Sequence, residues 1–235
     1  MQIRKFYRSM LPVYLLVLLA FLYSAQLISY SATTMAESMP IEHRTCFIID
    51  AGHGGVDGGA TSCSGILESK YNLDIALRLN DLMHLLGLKT QMIRTDDISV
   101  YTEGETIAAK KVSDLKERVR IVNSTEGAVL ISLHMNYFPD SRYYGPQVFY
   151  CSKSSEVLAE QMQRALKTNL APSSGRQVKK ASGIYLLQNI NKPGILIECG
   201  FISNPEEDFR LRDIYYQKKL CCVIGTQALH FLANT

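Results

Sequence analysis

The chain has 235 residues, of which 25 are Lys or Arg and 22 are Asp or Glu, and its formal net charge is +3. This length and an apolar content of 47% are enough to bury a core, which excludes an acidic disordered tail. Because Arg4, Lys5 and Arg8 all precede the first acid, Glu37, the charges beyond that point balance, and nucleic acid is not an expected partner.

The N-terminal segment has the pattern of a membrane-targeting sequence. An uncharged, apolar run extends from Leu11 to Ile28 behind the basic start. About 20 apolar residues can span a bilayer, and a basic start, an apolar run and small residues behind it are also typical of a cleavable signal peptide. We therefore expect residues 1–36 to be a signal peptide or a membrane anchor with a short linker. The expected location is extracytoplasmic, either exported or membrane-anchored.

Beyond this segment, short apolar runs alternate with longer amphipathic ones, and such alternation predicts an α/β fold. Strands are predicted at residues 46–49, 89–93, 128–133, 147–150 and 194–197. Helices are predicted at residues 73–86, 113–122 and 155–170, and Asn204-Pro205 is typical of the start of a later helix. No repeat or second domain is apparent in the sequence. The prediction is a single three-layer domain, residues 37–235, with a mostly parallel sheet flanked by helices.

The six cysteines do not predict a disulfide framework. Only Cys63 lies in a clearly loop-like stretch, whereas the others lie in or beside predicted strands and helices, where a thiol usually packs as a small apolar group. No C-x-x-C motif occurs, so the sequence does not support a thiolate zinc site.

Polar residues that could bind a metal or take part in catalysis follow three of the predicted strands. His53 follows the first strand, His134 the third and Glu198 the last. Open α/β sheets bind ligands at the carboxyl ends of their strands, so these side chains are expected to converge. The glycine-rich loop around His53 fits neither a dinucleotide fingerprint nor a Walker loop, which makes a phosphate site a poor alternative.

Two carboxylates have both a structural and a functional interpretation. Glu68, at the end of the glycine-rich loop, could simply interact with a helix dipole. Together with His53 and His134, however, it forms a two-histidine, one-carboxylate set that suits a catalytic zinc ion. Glu198 could form a structural salt bridge, or it could act as a general base that takes a proton from water and passes it to a leaving nitrogen.

Four segments of the sequence together resemble a known enzyme family. The segments are Ile48–Gly55, Glu68 with Asn72, Ser132–Asn136 and Ile197–Pro205. They are similar, in the same order, to motifs of the type 3 family of zinc-dependent N-acetylmuramoyl-L-alanine amidases. The resemblance implies that His53, Glu68 and His134 hold one zinc ion and that Glu198 is catalytic. It also implies hydrolysis of the amide between the lactyl group of muramic acid and L-alanine in peptidoglycan.

Two further segments narrow the resemblance within that family. Lys110–Val119 and Ser182–Leu187 are similar to the germination-specific amidases of the spore cortex. This similarity implies a substrate of cortex glycan strands with stem peptides, a location between the forespore membranes and an accessory protein as a partner. It also implies a place ahead of a muramic acid deacetylase in the formation of muramic-δ-lactam.

Two other classes of protein remain open at this stage. Another zinc-dependent peptidoglycan peptidase or deacetylase could use the same metal set. A catalytically silent wall-binding protein is the non-enzyme alternative, although the presence of Glu198 beside all three ligand candidates argues against it.

Overall fold

The computed structural model describes residues 18–26 and 45–234. Residues 18–26 are helical and exposed, and the rest of the predicted targeting segment lies outside the described residues. None of the helices in the described part is both long enough and apolar enough to cross a membrane. The chain divides into two units, Met1–His43 and Arg44–Thr235. The domain boundary between residues 36 and 37 stays a prediction.

Strands and helices alternate through the larger unit. In chain order they are β1 (Cys46–Ala51), α1 (Glu68–Leu85), β2 (Thr90–Met92), α2 (Ile107–Ser124), β3 (Ala128–Asn136), β4 (Gln147–Tyr150), α3 (Lys153–Leu170), β5 (Lys179–Lys180), α4 (Tyr185–Asn189), β6 (Gly194–Phe201), α5 (Pro205–Arg212) and α6 (Ile214–Leu232).

The strands form one six-stranded sheet in the order β2-β1-β3-β6-β4-β5. The strands β2, β1, β3 and β6 are parallel, whereas β4 runs antiparallel to β6 and β5 is parallel to β4. The prediction of a single, mostly parallel α/β domain is therefore confirmed. In the register of the sheet, His134 of β3 lies opposite Glu198 of β6.

Alternate residues of the central strands pack into two apolar layers, as the two-residue period of a strand requires. Phe47, Ile131 and Ile197 face the layer formed with α1, α3 and α6. Leu130 and Leu196 face the other layer, which includes residues of α2 and α4. The same period places His134 and Glu198 on the α2 and α4 face of the sheet.

Several elements are longer than the sequence predicted. The apolar residues of β3 and β6 end near residues 133 and 197, but both strands continue through the polar residues that follow. His134 and Glu198 therefore lie within strands rather than in loops behind them. The helix predicted from residue 113 begins at Ile107, where Thr106 caps it by accepting a hydrogen bond from the Ala109 amide.

Candidate metal centre and its neighbouring carboxylate

The structure brings His53, Glu68 and His134 together at the carboxyl ends of β1 and β3. One potential ligand atom from each side chain lies within 4.8 Å of those of the other two. Nε2 of His53 is 3.3 Å from Oε1 of Glu68, and Nδ1 of His134 is 3.0 Å from the same oxygen. The two imidazole rings meet edge to face, with their centroids 4.9 Å apart.

The orientation of His53 is fixed by a neighbour in its own loop. Its Nδ1 lies 2.9 Å from Oδ2 of Asp57, and Nζ of Lys111, in α2, lies 2.7 Å from the other oxygen of that carboxylate. Nδ1 of His53 therefore donates to Asp57, which leaves Nε2 free to face Glu68. A histidine that binds a metal through one nitrogen usually donates through the other nitrogen in this way.

Two buried arginines hold the backbone that carries His53. Arg118 donates to the Ala51 and His53 carbonyls and forms an ion pair with the buried carboxylate of Asp50. Arg94 donates to the carbonyls of Ala51 and Gly52. His53 itself has a φ of 60°, which a non-glycine residue adopts only when its surroundings impose it. The arginine contacts supply that constraint.

Glycines allow the three side chains to approach one another. A Cβ atom on Gly52 would overlap the imidazole of His134, and one on Gly59 would lie 2.6 Å from Oε2 of Glu68. Larger residues at these two positions would fill the space that the cluster occupies. The donor set also has the two nitrogens and one carboxylate of a catalytic zinc site with an open position. The space left by the two glycines and the type of donor atoms therefore both fit a zinc ion.

Charge interactions within the cluster shift the pKa values of its members. Burial lowers the pKa of His53, but hydrogen bonds and charges from Glu68 and Asp57 outweigh this effect and raise it to about 9. Burial raises the pKa of Glu68, yet the hydrogen bonds and charges of the two histidines hold it well below its usual range. Without a bound cation, Glu68 is thus an ionised carboxylate between two imidazoles.

Glu198 lies beside the cluster without a partner of its own. Its Oε2 is shielded from solvent and has no hydrogen-bond partner among the described residues. Burial raises its pKa to about 7, although the charge of His134 acts in the opposite direction. A cavity of about 240 Å³, lined in part by His53, His134 and Tyr185, opens next to these groups. The structure therefore shows no salt bridge that would explain Glu198 as a purely structural residue.

Sequence reasoning did not assign a role to Asp57, Lys111, Arg94 or Arg118. Asp57 had a local signal, since it is an acid four residues after a candidate ligand in a glycine-rich loop. Arg94 directly follows the predicted strand at residues 89–93, but its partners lie in a different part of the chain. Lys111 and Arg118 belong to a helix whose packing the sequence does not reveal.

Comparisons with known proteins agree with this geometry. Residues 47–226 match the amidase 3 family, described as N-acetylmuramoyl-L-alanine amidase. The germination-specific N-acetylmuramoyl-L-alanine amidase of Bacillus subtilis (strain 168) is 36% identical over 221 residues, which cover 93% of this chain and 92% of that protein.

Solved structures of amidases are also similar to this chain. The CwlD amidase of Clostridioides difficile, solved in complex with the GerS lipoprotein, is similar with a TM-score of 0.77 and 36% identity, covering 81% of this chain and 100% of that one. An N-acetylmuramoyl-L-alanine amidase from Clostridium difficile 630 is similar with a TM-score of 0.71 and 27% identity, covering 81% and 98% of the two chains.

Proposed function

The chain belongs to the N-acetylmuramoyl-L-alanine amidase family, and from this premise we propose that it cleaves peptidoglycan with one zinc ion held by His53, Glu68 and His134. The reaction is hydrolysis of the amide between the lactyl group of N-acetylmuramic acid and L-alanine. The observation that carries the proposal is the convergence of three ligand types in one cluster, with Glu198 opposite His134 on the adjacent strand.

The roles follow from where each group lies. Zinc bound by the two histidines and Glu68 supplies Lewis-acid polarisation of the scissile carbonyl. Glu198 takes up a proton from the attacking water and returns it to the leaving nitrogen as the carbon–nitrogen bond breaks. The products are the free lactyl carboxylate on the glycan and a stem peptide with an L-alanine amino terminus. Asp57 keeps the ring of His53 in the orientation that zinc binding needs.

We further propose that the substrate is spore cortex and that the chain acts during spore formation or germination. Support comes from the printed names of two relatives, one a germination-specific amidase and the other an amidase solved with a lipoprotein. By the same analogy, a lipoprotein is the proposed accessory partner. The enzyme then acts outside the cytoplasm, in the space between the forespore membranes, and its product feeds a muramic acid deacetylase.

The metal proposal is tested by alanine substitution of His53, Glu68 and His134. Removing one of three protein ligands leaves an incomplete shell, so each variant should lose bound zinc and activity together. The matched controls are His84→Ala and His230→Ala, which remove exposed histidines from helices α1 and α6. Full zinc content by elemental analysis in the His134 variant would remove that residue from the site.

The bond that is cleaved is tested by mass spectrometry of muropeptides from digested cortex and from vegetative wall. An amidase releases stem peptides that begin with L-alanine and leaves intact glycan strands. Deacetylated sugars, or cleavage inside the stem peptide, would assign the metal site to a deacetylase or a peptidase. Equal rates on both wall types would argue against a preference for cortex.

A further inference from the structure

A second cavity lies beside β4, the strand that pairs with β6 on the side away from β3. It has a volume of about 410 Å³, and its lining includes Arg142, Tyr143, Gln147, Arg176 and Lys179. Three of these side chains are cationic, and none of the described residues that line the cavity is acidic.

The register of the sheet places one lining residue of this cavity opposite Glu198. Gln147 of β4 lies directly opposite Glu198 in the antiparallel pair with β6. Directly opposed residues of antiparallel strands have Cβ atoms about 5 Å apart and point to the same face of the sheet. The side chain of Gln147, which lines the cavity, therefore stands on the same face of the sheet as that of Glu198, one strand away.

Arg176 is held in the cavity by its neighbours. One of its terminal nitrogens donates to Oε1 of Gln147 at 2.9 Å. Its guanidinium lies over the ring of Phe201, 4.4 Å from the centroid, and 5.2 Å from the centroid of Tyr143. Nε and Nη2 of Arg176 donate to no group within residues 45–234, and the side chain forms no ion pair there. The arginine is thus positioned, charged and still able to donate.

The walls of the cavity are joined by specific contacts. The hydroxyl of Tyr144 donates to the carbonyl of Ser173 at 2.9 Å, which ties the loop before β4 to the loop before β5. Gly145, with a φ of 90°, allows this approach, because a Cβ atom there would overlap the side chain of Ser174. Arg142 is paired with Asp140, and Arg176 also interacts with the charge of the buried Glu207, whose carboxylate accepts from the Gly145 and Phe201 amides. The lining itself contributes the positive charges of Arg176 and Lys179.

We propose that this cavity binds a free carboxylate of the stem peptide, on the residue that follows L-alanine. This inference rests on the amidase function proposed above. The N-acetylated glycan is uncharged, whereas the stem peptide carries free carboxylates, so a cationic cavity matches the peptide side of the substrate. An arginine with a free Nε and Nη2 is suited to hydrogen-bond both oxygens of a carboxylate. Because a lining residue of the cavity, Gln147, pairs with Glu198 in the sheet, the proposal selects the first carboxylate beyond the cleaved bond.

The test compares two synthetic muramoyl peptides that differ only in the residue after L-alanine, with a free α-carboxylate in one and its amide in the other. For the unaltered enzyme, kcat/KM should be about 10- to 100-fold higher with the carboxylate, the range expected for hydrogen bonds to a charged group. Arg176→Gln should abolish this preference and leave kcat/KM for the amide substrate nearly unchanged. Arg176→Lys should keep part of the preference.

Lys180→Gln is the matched control, because Lys180 is the exposed neighbour of Lys179 in β5 and does not line the cavity. It should keep the full preference. If Arg176→Gln does not fold, Lys179→Gln, at an exposed position, should reduce the preference instead. Equal rates of the unaltered enzyme on both substrates would overturn the carboxylate site alone, and equal losses on both substrates in Arg176→Gln would reassign that residue to a structural role. Failure to cleave either substrate would instead contradict the amidase function.

Discussion

Glu198 combines a position beside the ligand cluster with a shielded carboxylate oxygen that has no partner among residues 45–234. Replacing it with Gln keeps the shape of the side chain but removes its ability to accept a proton from water. We expect Glu198→Gln to lose about 100- to 10,000-fold in rate, the usual contribution of a general base. The measurement is single-turnover release of stem peptide from a muropeptide.

The zinc content of the same preparation separates two explanations of such a loss. Glu198 is not one of the three proposed ligands, so zinc content and thermal stability should remain close to those of the unaltered protein. Loss of zinc in parallel with activity would place Glu198 among the ligands. Turnover close to normal would mean that the reaction does not need this base.

At the scale of elements, Asn204 connects α5 to the loop before β4. Its Oδ1 accepts hydrogen bonds from the Glu206 and Glu207 amides, and its Nδ2 donates to the Ser141 and Tyr143 carbonyls. Loss of a side-chain cap costs about 1 kcal/mol. Asn204→Ala should therefore lower the free energy of unfolding in urea by at least that amount.

Asn204→Asp distinguishes the two sets of contacts. An aspartate keeps the cap of α5 but cannot donate to the two loop carbonyls, so its stability should be intermediate between Asn and Ala. If the Asp and Ala variants unfold at the same urea concentration, the cap is not what stabilises this helix.

Local patterns predicted most of the elements but not all of their ends. Apolar runs identified the central strands, and Asn204-Pro205 correctly predicted the start of α5. The first turn of α2 carries Ile107 and Ala108 on an exposed surface, so no buried apolar stripe marks it. The two-residue strand β5 and the five-residue helix α4 are too short for any period to be visible.

The residues of the candidate site were likewise predictable where local sequence patterns place them, and not where they depend on contacts between distant parts of the chain. The position of His53, His134 and Glu198 at strand ends could be anticipated, because parallel strands present their carboxyl ends at one edge of the sheet. The contacts of Arg94 and Arg118 could not, since each links backbone carbonyls to a side chain more than 40 positions away. Such pairs depend on how helices and strands pack, which a single sequence does not state.

At the scale of the molecule, stability should depend on pH through buried acids outside the site. Burial raises the pKa of Asp208, but hydrogen bonds from Tyr71 and Ser64 outweigh it, and the folded-state pKa lies below its usual value of 3.8. A lowered folded-state pKa contributes stability above the unfolded-state pKa and loses it as pH falls through the folded one. The free energy of unfolding should therefore decrease below about pH 4.

Asp208→Asn tests the assignment of this pH dependence. An asparagine oxygen can still accept the hydrogen bond of Tyr71 but does not titrate. Denaturant unfolding between pH 2.5 and pH 6 (roughly the span of carboxyl titration) should show a shallower acid decline in the variant. An unchanged slope would assign the acid sensitivity to other carboxylates. The next candidate is Asp50, because the charge of Arg118 helps to lower its pKa.

A second prediction at this scale concerns the N-terminal segment. Since the strands and the candidate site all lie beyond Arg44, a chain that begins near Glu37 should be soluble, folded and able to bind zinc. The full chain should be found outside the cytoplasm, because a basic start and an uncharged apolar run direct insertion. Failure of the shortened chain to fold, or fractionation of the full chain with the cytosol, would contradict this prediction.

The position of β6 has a consequence for the order of events during folding. It is the last strand in the chain, yet it lies in the interior of the sheet, between β3 and β4, and it carries Glu198. Contacts between segments so distant in sequence form late, because closing a long loop costs entropy before any contact repays it. A chain emerging from the ribosome therefore contains His53 and His134 well before Glu198, the proposed base, has been made. With the roles proposed above, we expect hydrolysis to begin only after β6 has paired between β3 and β4, which is late in the folding of the chain.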